Sequence, residues 1–239
     1  MIDGDFALAT KTGIAPISPT TQSLVDRVSH AVRRAILEGR LRPGETLSIS
    51  DLATDLGVSH SPVREALQRL SGQGLVILRP ARTAIVAPLE LEDLREIYRL
   101  REVIEADAAG RAAPALTEED FAVLKRALAA MSELEVDSDE FWNSHNTFHA
   151  ALMAPVMTPR LERIITELWH AGERYLRIVY IETDVLFTRS PEQRHRPLLE
   201  AARTRNAAKM RKAVAAHLQS NEREIVKSLT ESSADRPAG

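Results

Sequence analysis

The sequence predicts a mostly α-helical chain in two parts: an N-terminal winged helix-turn-helix unit, then an all-helical antiparallel bundle. Three observations carry this. Two short apolar-periodic segments meet at Gly57 and are followed by two β-compatible runs. From residue 91 to 229 helical spacing continues without a convincing strand. Pro88 stands where the character changes.

Taken in order, residues 1–20 lack periodicity and are expected to form a flexible arm. Leu24, Val25, Val28, Val32, Ile36 and Leu37 then recur at helical spacing up to Gly39, and Arg42-Pro43-Gly44-Glu45 reads as a turn. A short helix from Asp51 to Leu56, with Ser50 as its cap, precedes a longer one that starts at Ser59 or Ser61 and reaches about Gly72. Leu75–Leu78 and Ala84–Ala87 form a hairpin across Arg79-Pro80-Ala81-Arg82-Thr83. Beyond Pro88, helices are expected over 91–112, 117–134, 138–154, 159–181, 190–204 and 206–229. Thr117 starts one of them, and Ser190 starts another in a capping box with Gln193. The implied domains are 21–88 and 89–229, with a flexible tail over 230–239.

The 239 residues are 44% hydrophobic and 27% charged, the composition of a globular protein. With no cysteine, disulfides, thiolate metal sites and cysteine nucleophiles are excluded, which leaves any metal to His, Asp, Glu or water. Apolar stretches are short and interrupted, and the acidic start is unlike a secretory signal, so a cytoplasmic protein without a membrane partner is expected. The net charge of −3 conceals its parts. Residues 20–88 hold nine basic and six acidic side chains, whereas residues 89–239 hold 21 and 26.

The helix after Gly57 carries His60, Ser61, Arg64, Gln68 and Arg69 on one side and Val63, Leu67 and Leu70 on the other. Such a helix suits a DNA major groove, where Arg can donate two hydrogen bonds to guanine, although a solvated basic face has the same pattern. The preceding short helix and the following hairpin with Arg79 and Arg82 favour double-stranded DNA. The stretch LRPGETLSISDLATDLGVSHSPVREALQRLSGQGLVILRPARTAIVAPL resembles the DNA-binding domain of GntR-type transcription regulators in its PGE, LGVS, PVREAL and GLV segments. That resemblance implies base contacts from Arg64 and His60, with Ser59, Ser61, Gln68, Arg79, Arg82 and Thr83 completing the DNA face. His60 stands where the family usually has Arg, and Thr83 where the wing tip usually has Gly.

Four of the seven histidines fall on apolar helix stripes: His145 and His149 with Leu152, His195 with Leu199 and Ala202, His217 with Met210 and Val214. Buried imidazoles need partners, so each is either a core histidine bonded to a neighbour or one ligand of a divalent cation. Here the segments LREIYRLREVIEADAAGRAA, FWNSHNTFHAALMAPVMTPRLERII and HRPLLEAARTRNAAKMRKAVAAHL resemble the FCD effector domain of the FadR subfamily. The resemblance implies a divalent metal ion on His149, His195 and His217, with His145 at the position that is usually Asp or Asn. An all-imidazole set favours zinc or nickel over magnesium or manganese.

The same resemblance places Arg101 in the effector pocket and implies a small carboxylate effector, a homodimer and a palindromic operator. Repression relieved by effector is the more frequent arrangement in such families. Arg101 also has Glu105 one turn on, a pair worth about 0.3–0.5 kcal/mol on a surface. Tyr98, Trp142, Trp169 and Tyr175 are candidate pocket walls, but with aromatics at only 4% of the chain they read as ordinary core or rim. The chain has no HExxH motif and a single Glu-x-x-His in the right place, Glu192 to His195, so no enzyme is expected. The alternatives are a helical domain serving dimerisation alone and a helical metalloenzyme domain fused to the DNA-binding unit.

Overall fold

The computed structural model describes residues 23–80, 83–136, 138–182 and 190–234. The head begins with helix α1 (Leu24–Leu37), whose N-cap Ser23 forms a capping box with Asp26. Strand β1 (Thr46–Ser48), α2 (Ile49–Leu56), α3 (His60–Gly72), β2 (Val76–Arg79) and β3 (Thr83–Val86) follow. The strands form an antiparallel sheet in the order β1-β3-β2, with Leu47 opposite Ala84 and Val76 opposite Val86. A common core of Val32, Ile36, Val63, Leu67, Leu70 and Val86 holds the helices on the sheet. Gly57 ends α2 at φ 64°, a left-handed conformation that costs a residue with a Cβ roughly 1–2 kcal/mol, and this sets the turn into α3.

Two expectations change here. Ser48, not Ser50, caps α2: its hydroxyl accepts from the Asp51 amide at 3.3 Å, and the helix starts at Ile49 because Ile49 is a core residue. Strand β1 was not expected, since three residues are too short to show a period of two and the pairing partner lies almost 40 positions away.

The helical part comprises α4 (Leu91–Ala112), α5 (Glu118–Glu133), α6 (Asp139–Ala151), α7 (Pro159–Glu182), α8 (Pro191–Arg203) and α9 (Ala207–Ala234). The starts predicted at Thr117 and Ser190 are observed. Thr117 forms a capping box with Asp120, and Ser190 forms one with Gln193. Helix α6 stops at Ala151, and Ala154–Val156 form a separate 3₁₀ turn; at the other end α9 continues to Ala234, so residues 230–234 are helical rather than tail. No helix among the described residues is long and apolar enough to cross a membrane.

Helix α4 packs against both α9 and α7 around a core that includes Tyr98, Phe148, Trp169, Leu198 and Val214. The head is tied to this bundle through α7. Arg33 of α1 donates to Glu173 at 2.8 Å, and Glu173 also accepts from Arg177, which reaches Asp139 at 2.9 Å. The linker between β3 and α4 is held from the same helix. Arg174 donates to the Ala87 carbonyl at 3.4 Å and to Asp93 at 2.6 Å, while the Tyr175 hydroxyl lies 3.1 Å from the Glu90 carbonyl and 2.7 Å from Asp93.

Candidate functional site

The outer face of α3 is the first candidate surface. Pro62, Val63, Ala66, Leu67 and Leu70 are buried against the head, which leaves His60, Ser61, Arg64 and Gln68 exposed together. Arg64 has no ion pair among the described residues, whereas Arg69 is committed to Asp26 of α1. Ser59 occupies the N-cap position of α3 in an extended conformation, yet its hydroxyl makes no capping bond. Helix α3 therefore presents its first amides and a hydroxyl outward, the groups that suit a phosphate. Ser61 donates to Glu65 at 3.2 Å. Arg79 is exposed at the end of β2. Thr83 is not at the wing tip: it opens β3 opposite Arg79, half-buried, and its hydroxyl donates to the Pro80 carbonyl at 3.0 Å. Arg82 lies outside the described residues.

The second candidate is inside the bundle. His145 and His149 on α6, His195 on α8 and His217 on α9 converge so that one ligand atom from each lies within 4.8 Å of the others. Ring centroids are 4.6 Å apart for His145 and His149 and 4.9 Å for His195 and His217. His149, His195 and His217 are buried, and His145 is the most accessible of the four. His145 thus lies within the cluster rather than at longer range from the other three.

Hydrogen bonds fix several rings. A carbonyl oxygen only accepts, so the 2.7 Å contact between His195 Nδ1 and the Pro191 carbonyl puts the proton on Nδ1 and leaves a lone pair on Nε2. His145 Nδ1 donates in the same way to Asn146 Oδ1 at 3.3 Å. Asn221 Nδ2 donates to His217 Nε2 at 3.2 Å. The Nε2 atoms of His149 and His195 are buried with no hydrogen-bond partner. Burial pushes all four imidazoles toward the neutral form. For His145, His149 and His217 the pKa falls well below 6.5, with the neighbouring imidazoles and Arg101 adding to the effect, and for His195 it falls to about 4.

Arg101 lies beside the cluster but does not point freely into a cavity. Its Nε donates to Glu105 Oε1 at 2.7 Å, its guanidinium stands 5.0 Å over the Tyr98 ring, and Gly172 leaves room for it: a Cβ there would meet Nη1 at 3.4 Å. Arg101 and Glu105 side chains are only 3% and 2% exposed. The i, i+4 pair visible in the sequence is thus a buried one, for which loss of one partner costs about 3–5 kcal/mol rather than a few tenths. Trp169 also donates to Glu105 Oε1, at 3.0 Å. Glu105 and Trp169 were not among the expected site residues; the Arg101–Glu105 spacing signalled the first, and nothing in the sequence separated Trp169 from the other aromatics.

Neutral, convergent imidazoles, with the buried Nε2 lone pairs of His149 and His195 unpartnered, fit a divalent cation, and His217 would join them by exchanging its Asn221 bond for the cation. Beside them is a cavity of about 30 Å³, lined by Trp142, His145, Arg194, His195, His217 and Asn221, which has room for about one water.

The neutral histidines also set a pH dependence of stability. In the unfolded chain His195 regains a pKa near 6.5, so below that value the unfolded state binds more protons and stability drops until the folded pKa of about 4 is reached. His195 alone accounts for about 3 kcal/mol, fully present above pH 6.5 and lost as pH falls toward 4. Chelator-treated protein is expected to show a melting temperature that declines steeply over this window, with a shallower slope for His195→Gln; equal slopes would refute the assignment.

Residues 24–86 match the gntR family of bacterial regulatory proteins, and residues 96–220 match the FCD domain. The HTH-type transcriptional regulator McbR of Escherichia coli (strain K12) is 28% identical over 201 residues, 83% of this chain and 91% of the relative. The HTH-type transcriptional repressor RspR of the same organism is 29% identical over 149 residues, 61% of this chain and 63% of the relative. The solved structure of E. coli McbR/YncC covers 87% of this chain and 99% of its own, with a TM-score of 0.70 and 27% identity. With a reading head of the first family on an effector domain of the second, the chain belongs to the GntR family of DNA-binding transcription regulators and carries an FCD domain.

Proposed function

We propose that this regulator is a homodimeric repressor whose bundle, residues 89–229, binds a divalent cation and a small carboxylate effector, and whose heads, residues 21–88, read a palindromic operator. The single observation that carries the sensor reading is the convergence of four histidine ring atoms within 4.8 Å, beside the buried Arg101. His145, His149, His195 and His217 would hold the cation. A bound cation supplies uncompensated positive charge to which a carboxylate can bind, since neutral imidazoles bring none to cancel it. Zinc or nickel suits this donor set. Repression is the sign of control supported by the name of the RspR relative.

On DNA, His60, Arg64 and Gln68 face base edges in the major groove, while Ser59, Ser61 and the α3 N-terminus meet phosphates and Arg79, Arg82 and Thr83 belong to the wing. A two-fold operator calls for two heads, and Leu100 and Val103, exposed on α4, offer an apolar face to a second copy.

The cavity beside the histidines is too small for a carboxylic acid of several carbons, so effector entry has to displace side chains. Helix α7 is placed to carry that displacement. Trp169 touches Glu105, Glu173 holds Arg33 of the head, and Arg174 and Tyr175 hold the linker. Shifting α7 therefore changes the seat of the head. To move the operator complex from mostly bound to mostly free, the effector must discriminate between the two arrangements by about 5.5 kcal/mol.

Three outcomes test this reading. Arg64→Ala should weaken operator binding by about 1–3 kcal/mol and relax preference at one base position; the same loss on every sequence would make Arg64 a phosphate contact. His195→Ala should lose bound zinc or nickel in metal analysis of the purified, folded protein, whereas unchanged metal content would sink the cation site. Tyr175→Phe removes only the hydroxyl on the linker, so the amides of Ala87 and of residues 89–94 should exchange with solvent faster while overall stability drops by about 1 kcal/mol. Unaltered exchange there would argue against α7 as the transmitting helix.

A further inference from the structure

Glu105 borders this site, and half of its carboxylate is unaccounted for. Its Oε1 accepts from both Arg101 Nε and Trp169 Nε1. Its Oε2 is buried with no hydrogen-bond partner and stands 4.0 Å from His149 Nδ1. A buried carboxylate oxygen without a donor is costly, and so is the unpartnered Nε2 on the far side of the same imidazole. One arrangement relieves both. If the single proton of neutral His149 sits on Nδ1, it faces Glu105 Oε2 across 4.0 Å, a gap that closing by about 1 Å turns into a hydrogen bond, and Nε2 presents a lone pair to the cluster. The other tautomer would set a lone pair against a carboxylate and a proton against three more imidazoles.

We infer that Glu105 is a positioning residue that joins the two halves of the sensor: through Oε2 it orients His149 with Nε2 toward the cation, while through Oε1 it holds Arg101. The inference rests on the metal reading proposed above and assigns to Glu105 a role that neither the histidine spacing nor the Arg101 expectation contains. It also explains why an acid is tolerated at 1% exposure next to apolar neighbours. Arg101 balances its charge, Trp169 fills a second acceptor site, and His149 supplies the remaining donor. Because one carboxylate serves both groups, a ligand that draws Arg101 away from Oε1 changes the group that orients His149. Cation and effector binding are then coupled, reciprocally.

The test uses zinc alone, in competition with a fluorescent chelator, on the full chain. Glu105→Gln keeps the shape but cannot present two acceptor oxygens, and it should weaken zinc binding by about 10–100-fold. Because this change also strands a buried guanidinium, Arg101→Met/Glu105→Gln is measured beside it; with both charges gone the fold is retained, and the same weakening is expected. Imidazole ¹⁵N shifts of zinc-loaded wild type should show His149 protonated at Nδ1, a signature lost in both variants. Zinc affinity within two-fold of wild type in either variant, or recovery in the double variant alone, would overturn the positioning role. Failure of the wild type itself to retain zinc would instead overturn the metal reading on which this rests.

Discussion

A carboxylate at 1% exposure dictates what surrounds it, and in this protein that carboxylate is Glu105. Desolvating a charge is costly unless a countercharge and hydrogen-bond donors come with it. Arg101 provides the first from one turn earlier on α4, and Trp169 provides a donor from α7. The guanidinium needs space in turn, which Gly172 and the Tyr98 face provide. Helices α4 and α7 are thereby locked in register by polar geometry as well as by apolar packing, and the same carboxylate borders the histidine cluster on α6, α8 and α9.

Helix α7 links this interior to the head because of how its side chains are spaced. Trp169 and Glu173 are four residues apart and share a side, so one reaches Glu105 and the other Arg33. Arg174 and Tyr175 come next and close on the linker. Glu173, Arg177 and Asp139 continue the polar contacts toward α6, where Arg177 lies 5.3 Å over the Trp142 ring and Trp142 lies 5.4 Å from His145. The head is thus attached through directional charge-assisted contacts. Contacts of that kind have discrete partners and can exchange them.

The division of charge fits this layout. Basic residues prevail in the head, where Arg64 and Arg79 stay exposed, while many acids of the bundle pair with neighbouring arginines on their own helices, as Glu92 does with Arg95 and Glu192 with Arg196. Exposed pairs of that type contribute little stability but neutralise the surface locally. The negative total therefore says little about the face presented to DNA.

What the sequence determined by itself was whatever depends on near neighbours. The helix starts at Thr117 and Ser190, the buried and exposed sides of α3, and the histidine stripes all follow from spacings of three and four along one chain. Strand β1, the capping by Ser48 in place of Ser50, and the withdrawal of Thr83 into β3 were not legible, because each is set by a partner strand or a core residue far away in the chain. The Arg101–Glu105 pair shows the limit most clearly. Its spacing was plain, yet its meaning depended on burial: in water such a pair is a minor ornament of a helix surface, whereas in the low dielectric beneath α7 it becomes a structural requirement. Only the tertiary structure could decide which of these it is, since the dielectric around a charge is made by the segments folded over it.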